Sequence, residues 1–213
     1  MPLRKISLRI AALALCCLFY SCSQPEYLSE EDLSRYVLDE DNGLSVQVHI
    51  DDTKIQMTYR PTDLLVAQEL KNVSNLTTSL LLEKREKYGH HYYFILSLSN
   101  SGKDVLSSPA NQAGFSELLQ TISFRMNEVV SLTTSKRDTI PVAGFLYNRT
   151  FGLSNSTDVL LVFDRTETKA SDWVEISIDE FGLGIGKQSV RFKIKDLEDV
   201  PKINFEKMSG KPD

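Results

Sequence analysis

The chain has 213 residues and a formal net charge of −5; 41% of its residues are hydrophobic and 25% charged. That is enough for one domain with a real core, or for two small ones. The acidic balance argues against nucleic acid as a partner and against electrostatic adhesion to anionic lipid.

Arg4, Lys5 and Arg9 make a basic start, and an uninterrupted apolar run follows from Ile10 to Tyr20. Ser21 and Cys22 come next, and Ser23-Gln24-Pro25-Glu26 turns polar. A basic region, a short apolar region and a small residue are the parts of a secretory signal. The run is about half of the ~20 residues that a spanning helix needs. A small residue directly before a cysteine resembles a bacterial lipoprotein signal, in which the cysteine is acylated and becomes the new N-terminus. Phe19 and Tyr20 are bulkier than the usual pattern, while Ser21 fits it. With the acidic run Glu26, Glu30, Glu31, Asp32 and a β-rich body, the general style resembles lipoproteins of the Bacteroidetes. The resemblance implies lipidation at Cys22, a membrane partner reached through N-terminal acyl chains, and a place in the cell envelope. It points to the outer membrane, facing either the periplasm or the surface. An ordinary cleaved signal with a chance cysteine is the alternative.

Losing Arg4, Lys5 and Arg9 with a cleaved signal moves the formal charge from −5 to −8. Cys16 and Cys17 leave as well, and Cys22 is taken by acylation, so the mature body has neither disulfide nor thiol chemistry. We expect a signal over 1–21, an acidic tether over 22–35 and a single globular domain over 36–213.

In the body, Leu44, Val46, Val48 and Ile50 alternate with polar residues, and Ile55, Met57 and Tyr59 do the same after Asp51-Asp52. Two period-two runs around an Asp-rich turn predict a β-hairpin with one buried face. Pro61-Thr62-Asp63 opens a helical pattern through Leu64, Leu65, Ala67 and Leu70 that ends near Asn72, with Thr62 placed as its N-cap. Residues 73–87 stay open: Leu76, Leu80 and Leu81 favour a helix and Thr77-Thr78-Ser79 oppose it. Tyr92, Phe94, Leu96 and Leu98 share one face of a strand, Asn100-Ser101-Gly102-Lys103 makes a turn, and residues 107–111 with Pro109 make a loop. Phe115, Leu118, Leu119 and Ile122 have helical spacing over 113–126.

Five strands are expected after that, at 129–133, 140–147, 159–163, 173–179 and 188–195. The unalternating run Val159-Leu160-Leu161-Val162-Phe163 suits a central strand covered on both faces. In the last two, Val174, Ile176 and Ile178 oppose Glu175 and Asp179, and Val190, Phe192 and Ile194 oppose Arg191, Lys193 and Lys195. Antiparallel pairing matches apolar with apolar and acid with base, and a one-residue slip undoes both.

Phe181-Gly182-Leu183-Gly184-Ile185-Gly186-Lys187 suggests a phosphate cradle, but such loops lead from strand into helix. The residues that follow are strand-like, so the glycines are expected to permit an unusual hairpin connection. Leu183 and Ile185, apolar in a loop, either tuck onto the core or form a partner contact. His49, His90 and His91 are the only histidines; they read as exposed strand-edge residues, and no metal is expected. Asp39-Glu40-Asp41 and Glu198-Asp199 read as solvated surface, and the sequence holds no Gly-x-Ser-x-Gly elbow. Catalytic residues and cofactors are accordingly expected to be none. Asp138-Thr139-Ile140 resembles the short O-glycosylation sequon of Bacteroidetes exported proteins, which makes Thr139 a candidate for modification.

The expected fold class is α+β, a mixed or antiparallel β-sheet with two or three helices; a β-sandwich is the second architecture. The expected function is that of a lipid-anchored, non-catalytic envelope protein that binds a protein or glycan partner or fills a structural role. The alternative is an exported hydrolase acting on polysaccharide or peptide.

Overall fold

Alternation along the chain decides which residues meet, and the computed structural model shows the result for residues 27–73, 75–107, 114–150 and 153–205. The first half contains β1 (Tyr27–Leu28), α1 (Glu30–Leu38), β2 (Ser45–Ile50), β3 (Thr53–Tyr59), α2 (Thr62–Leu70), α3 (Thr78–Gly89), β4 (His91–Asn100) and β5 (Lys103–Asp104). The second half contains α4 (Phe115–Phe124), α5 (Met126–Val129), β6 (Val130–Thr134), β7 (Thr139–Pro141), β8 (Gly144–Tyr147), β9 (Thr157–Asp164), β10 (Trp173–Ile178), β11 (Gln188–Lys193), α6 (Ile194–Glu198) and β12 (Lys202–Ile203). The fold is α+β. Its two larger sheets are antiparallel: a six-stranded sheet ordered β2-β3-β4-β9-β8, with β5 also on β4, and a four-stranded sheet ordered β11-β10-β6-β7. A short parallel pair, β1-β12, joins the two ends of the described chain.

The expected hairpin of β2 and β3 forms, with Val46 opposite Met57 and Val48 opposite Ile55. Asp51 takes a left-handed φ of 49° in its turn, a conformation that Asp tolerates better than most residues. β4 is the centre of the six-stranded sheet. Tyr92, Phe94, Leu96 and Leu98 on its inner face are all fully buried, each worth roughly 1.5–3 kcal/mol relative to exposure. The β10–β11 hairpin has the expected register, with Val174 opposite Phe192, Ile176 opposite Val190 and Glu175 opposite Arg191. Arg191 bonds Glu175 at 2.9 Å and lies 3.9 Å over the Trp173 ring. The two sheets meet through Phe94 and Phe192, whose ring centroids are 4.9 Å apart, so their inner faces share one core.

Several expectations are corrected. The acidic stretch expected as a tether over 22–35 is folded from Tyr27 onward. Ser29 caps α1 by accepting from the Asp32 N–H at 3.0 Å, and Glu30, Glu31 and Asp32 fill its first turn, where negative charge suits the helix dipole. Leu33 and Val37, one turn apart, are buried. The acidic run is thus the start of a helix whose other face is core. Thr62 is the first helical residue rather than the cap; Pro61 holds the cap position, without a side-chain bond. Within the open stretch 73–87 the helix α3 starts at Thr78, capped by the Thr77 hydroxyl, which accepts from the Leu80 N–H at 3.2 Å. Six α-helices are present among the described residues rather than two or three.

The expected strand 140–147 is two strands in different sheets: β7 pairs with β6, and β8 pairs with β9. The chain crosses between sheets at Val142-Ala143, a change of partner that local alternation does not encode. β9 lies beside the edge strand β8 and is not covered on both faces; Val159, Leu161 and Phe163 are buried while Leu160 and Val162 are half-buried. The last expected strand stops at Lys193, and Ile194 begins α6. The signal over 1–21, Cys22 and the loop residues around Pro109 lie outside the described residues.

Candidate functional site

Three connections converge at one end of the core. They are the join of α3 to β4 at Gly89-His90, the crossing from β9 to β10 between the two sheets, and the start of α6. Backbone bonds fix them to one another: the Arg165 N–H donates to the His90 carbonyl at 3.0 Å, and the Ile194 N–H to the Asp172 carbonyl at 2.9 Å. Between them is a cleft of about 490 Å³ whose lining includes His90, Arg165, Lys169, Ser171, Ile194 and Glu198. A smaller cavity of about 140 Å³ shares Arg165 and Glu198 and continues toward Tyr59, Asp63 and Lys202.

Arg165 is the pivot. Its guanidinium donates to Glu198 at 3.0 Å and stands 5.3 Å over the Tyr92 ring, a cation–π distance. Burial works against its charge, but the Glu198 bond and the neighbouring tyrosines outweigh that and hold its pKa above the ordinary value. The chain into the cleft is tightened by Asp164, which accepts from both the N–H and the hydroxyl of Thr166, at 2.7 and 2.6 Å. The Thr166 hydroxyl bond, then the backbone bond, hold the Asp164 carboxyl below its usual range. Thr168 donates to the Arg165 carbonyl at 2.8 Å. Ala170, at the rim, has a left-handed φ of 66°, which costs a non-glycine residue roughly 1–2 kcal/mol.

The smaller cavity ends on a seam that joins distant parts of the chain. Asp63, buried, accepts from Arg85 Nε at 2.8 Å and Nη2 at 2.7 Å, and from the Ile203 N–H at 2.8 Å. The Arg85 guanidinium also lies 5.3 Å over Phe205. One carboxylate thereby ties α2, α3 and β12. Nearby, Glu69 accepts from the Tyr88 hydroxyl at 2.6 Å and faces Lys84 and Lys87 at 3.1 and 3.2 Å. The Tyr88 bond and the two ammonium groups lower its pKa from 4.5 to about 2.

The glycine-rich loop is a cradle already filled by its own chain. Glu180 Oε1 accepts from the N–H groups of Gly182, Leu183 and Gly184 at 2.7, 2.7 and 2.9 Å, and Oε2 from Gly186 at 2.7 Å. Gly182, Gly184 and Gly186 have φ of 102°, 70° and 61°, the left-handed values that glycine permits. Burial raises the Glu180 pKa, but the four donors more than offset it and leave it below the ordinary range. The anion-cradle geometry is therefore real and serves the hairpin connection.

Of the residues expected to matter, Ile185 is only 3% exposed and tucks onto the core, the first of the two alternatives that the sequence leaves open for it. Leu183 is half-buried against the same core. Thr139 is exposed at the start of the edge strand β7. His49 is exposed on edge strand β2, and His90 is the one histidine at the cleft. Among the described residues, no three His, Cys, Asp or Glu side chains come together as a metal-binding group. Glu198, read as solvated surface, is exposed and also pairs with Arg165. Arg165, Lys169 and Ser171 carry no motif that singles them out in the sequence; Arg165 meets His90 through the pairing of β9 with β4, and Lys169 and Ser171 follow on the crossing to the other sheet. Glu180 had a signal: an acid directly before alternating glycines.

No protein-family model matches the chain, and no curated protein does. Solved structures similar to it include a protein of unknown function from Burkholderia pseudomallei, 11% identical over 83% of this chain and 95% of that one, with a TM-score of 0.37. Another is a DUF4426 family protein from Pseudomonas aeruginosa, 10% identical over 70% of this chain and 91% of that one, with a TM-score of 0.36. At these values neither adds to the reading of the cleft.

Proposed function

We propose that this protein is a lipid-anchored, non-catalytic envelope protein that holds a protein or glycan partner, with Cys22 as the site of attachment. The observation that carries the reading is the N-terminal order of charges, apolar run, Ser21 and Cys22. Two or more acyl chains are needed for stable anchoring, and acylation at such a cysteine supplies them. Among the described residues no helix is long and apolar enough to cross a membrane. The fold adds a constraint on reach. The first strand starts at Tyr27, so the link from Cys22 is short, and at roughly 3.3–3.6 Å per residue it spans at most about 18 Å. The anchored body then stands close to the bilayer with its β1–β12 end toward it.

The cleft supports binding over hydrolysis. A glycosidase needs two carboxylates roughly 5–10 Å apart across the scissile bond, and among the described lining residues the one carboxylate, Glu198, is engaged by Arg165. Replacing Cys22 by Ala, with metabolic fatty-acid labelling and membrane fractionation, tests the anchor. The variant is expected to lose label and leave the membrane fraction; an unlabelled variant that stays there overturns the reading.

A further inference from the structure

We propose that the cleft between His90, Lys169 and Glu198 binds a sugar-sized molecule carrying one oxyanion, a carboxylated or phosphorylated saccharide. The assignment deepens the glycan-binding reading and does not depend on the anchor. Size sets the first limit. About 490 Å³ falls within the 300–1,000 Å³ of small-molecule sites.

Charge sets the second. The lining carries Arg165 and Lys169 against the single carboxylate of Glu198, a local positive excess on a chain whose formal charge is −5. Glu198 is neutralised by its 3.0 Å contact with Arg165, and one guanidinium has five N–H donors, so the pair leaves donors over. Lys169 is exposed and forms no ion pair among the described residues. Its ammonium is the group that an incoming oxyanion meets.

The third observation is Ser171. It lines the cleft while only 9% exposed. Its N–H is bonded to the Thr168 carbonyl at 3.1 Å, but its hydroxyl has no hydrogen-bond partner among the described residues. That hydroxyl opens onto the cleft, where a ligand hydroxyl takes the place of the water it would otherwise meet. Ile194 gives the same cleft an apolar wall, suited to the C–H face of a sugar ring. Lysine for the oxyanion, serine for a ring hydroxyl and isoleucine for the carbon face together match a charged saccharide better than a bare anion or a neutral sugar.

The test uses the full chain in detergent, titrated with glucuronate, glucose 6-phosphate and glucose by calorimetry and amide NMR. At least one of the two charged sugars is expected to bind with a millimolar or tighter Kd and to shift the amides of 165–171, with glucose at least tenfold weaker. The choice between the two identifies the oxyanion. Lys169→Glu is expected to weaken the charged sugars at least tenfold, and Ser171→Ala several-fold, while the thermal midpoint of the exposed Lys169 variant stays unchanged. Glucose binding as tightly as the charged sugars, Lys169→Glu without effect, or no binding of any of the three overturns the proposal. Because the same titrations are run on the Cys22→Ala full chain, a failed anchor and a failed ligand site give different results.

Discussion

Glu180 and Asp63 are both carboxylates that hold backbone N–H groups, and they work over opposite spans. Glu180 binds four donors no more than six residues away. Asp63 binds Arg85 and then the Ile203 N–H, 140 positions along the chain. The first organises one loop and is exposed; the second is buried and fastens the C-terminal strand to two helices. A local carboxylate shapes a connection that the hairpin would make anyway. A long-range one decides whether distant segments share a core.

That difference predicts a graded set of responses. The largest is expected where the hairpin meets the other sheet. Phe192→Asp puts a charge against Phe94 in a core position 1% exposed, a penalty well above 4 kcal/mol, and cooperative unfolding by circular dichroism is expected to disappear. A retained transition would mean that this hairpin does not face the six-stranded sheet. Next, Asp63→Ala strands Arg85 and the Ile203 N–H and should cost roughly 3 kcal/mol in denaturant unfolding. A loss below about 1 kcal/mol would show that the seam is incidental.

Glu180→Ala should cost roughly 1–2 kcal/mol, low for charge-assisted bonds because the loop is exposed. Glu180 and Glu69 also give an acid dependence of known sign. Both have folded pKa values below the ordinary carboxylate value. Their contributions are therefore complete above that value and fade as pH falls through the lower folded one, from 4.5 toward about 2 for Glu69. The Glu69→Gln variant should flatten part of that slope in acid titrations of stability; an unchanged slope would remove Glu69 from the account. The smallest effect is expected at Lys193→Asp, within about 0.5 kcal/mol, since Lys193 is exposed beside buried Phe192. Equal damage at both positions would reverse the faces.

What could be read from the sequence follows the same division. Both hairpins and the buried face of β4 were legible because side chains alternate with a fixed period of two, so the pattern of Tyr92, Phe94, Leu96 and Leu98 is its own evidence. Helix α1 carries its signals in the sequence, but its acidity points the other way. Ser29 before three acids, with Leu33 and Val37 one turn apart, is a capped amphipathic helix; the acidity alone suggested a tether. The split at Val142-Ala143 had no local signal, because both halves are strands and only their partners differ.

By itself the sequence determined the buried faces of β4, β10 and β11, the α+β class, the register of β10 with β11 and the conformational role of the alternating glycines, which rest on local pattern. It also carries the anchor proposal, since signal recognition reads a linear segment. Tertiary structure alone decided that β7 and β8 belong to different sheets, that Asp63 reaches Ile203, and that His90, Arg165, Lys169, Ser171 and Glu198 surround one cleft. The physical reason is chain crossing. The cleft lies where the backbone leaves one sheet for the other, and a crossing brings together residues whose separation along the chain carries no trace of their separation in space.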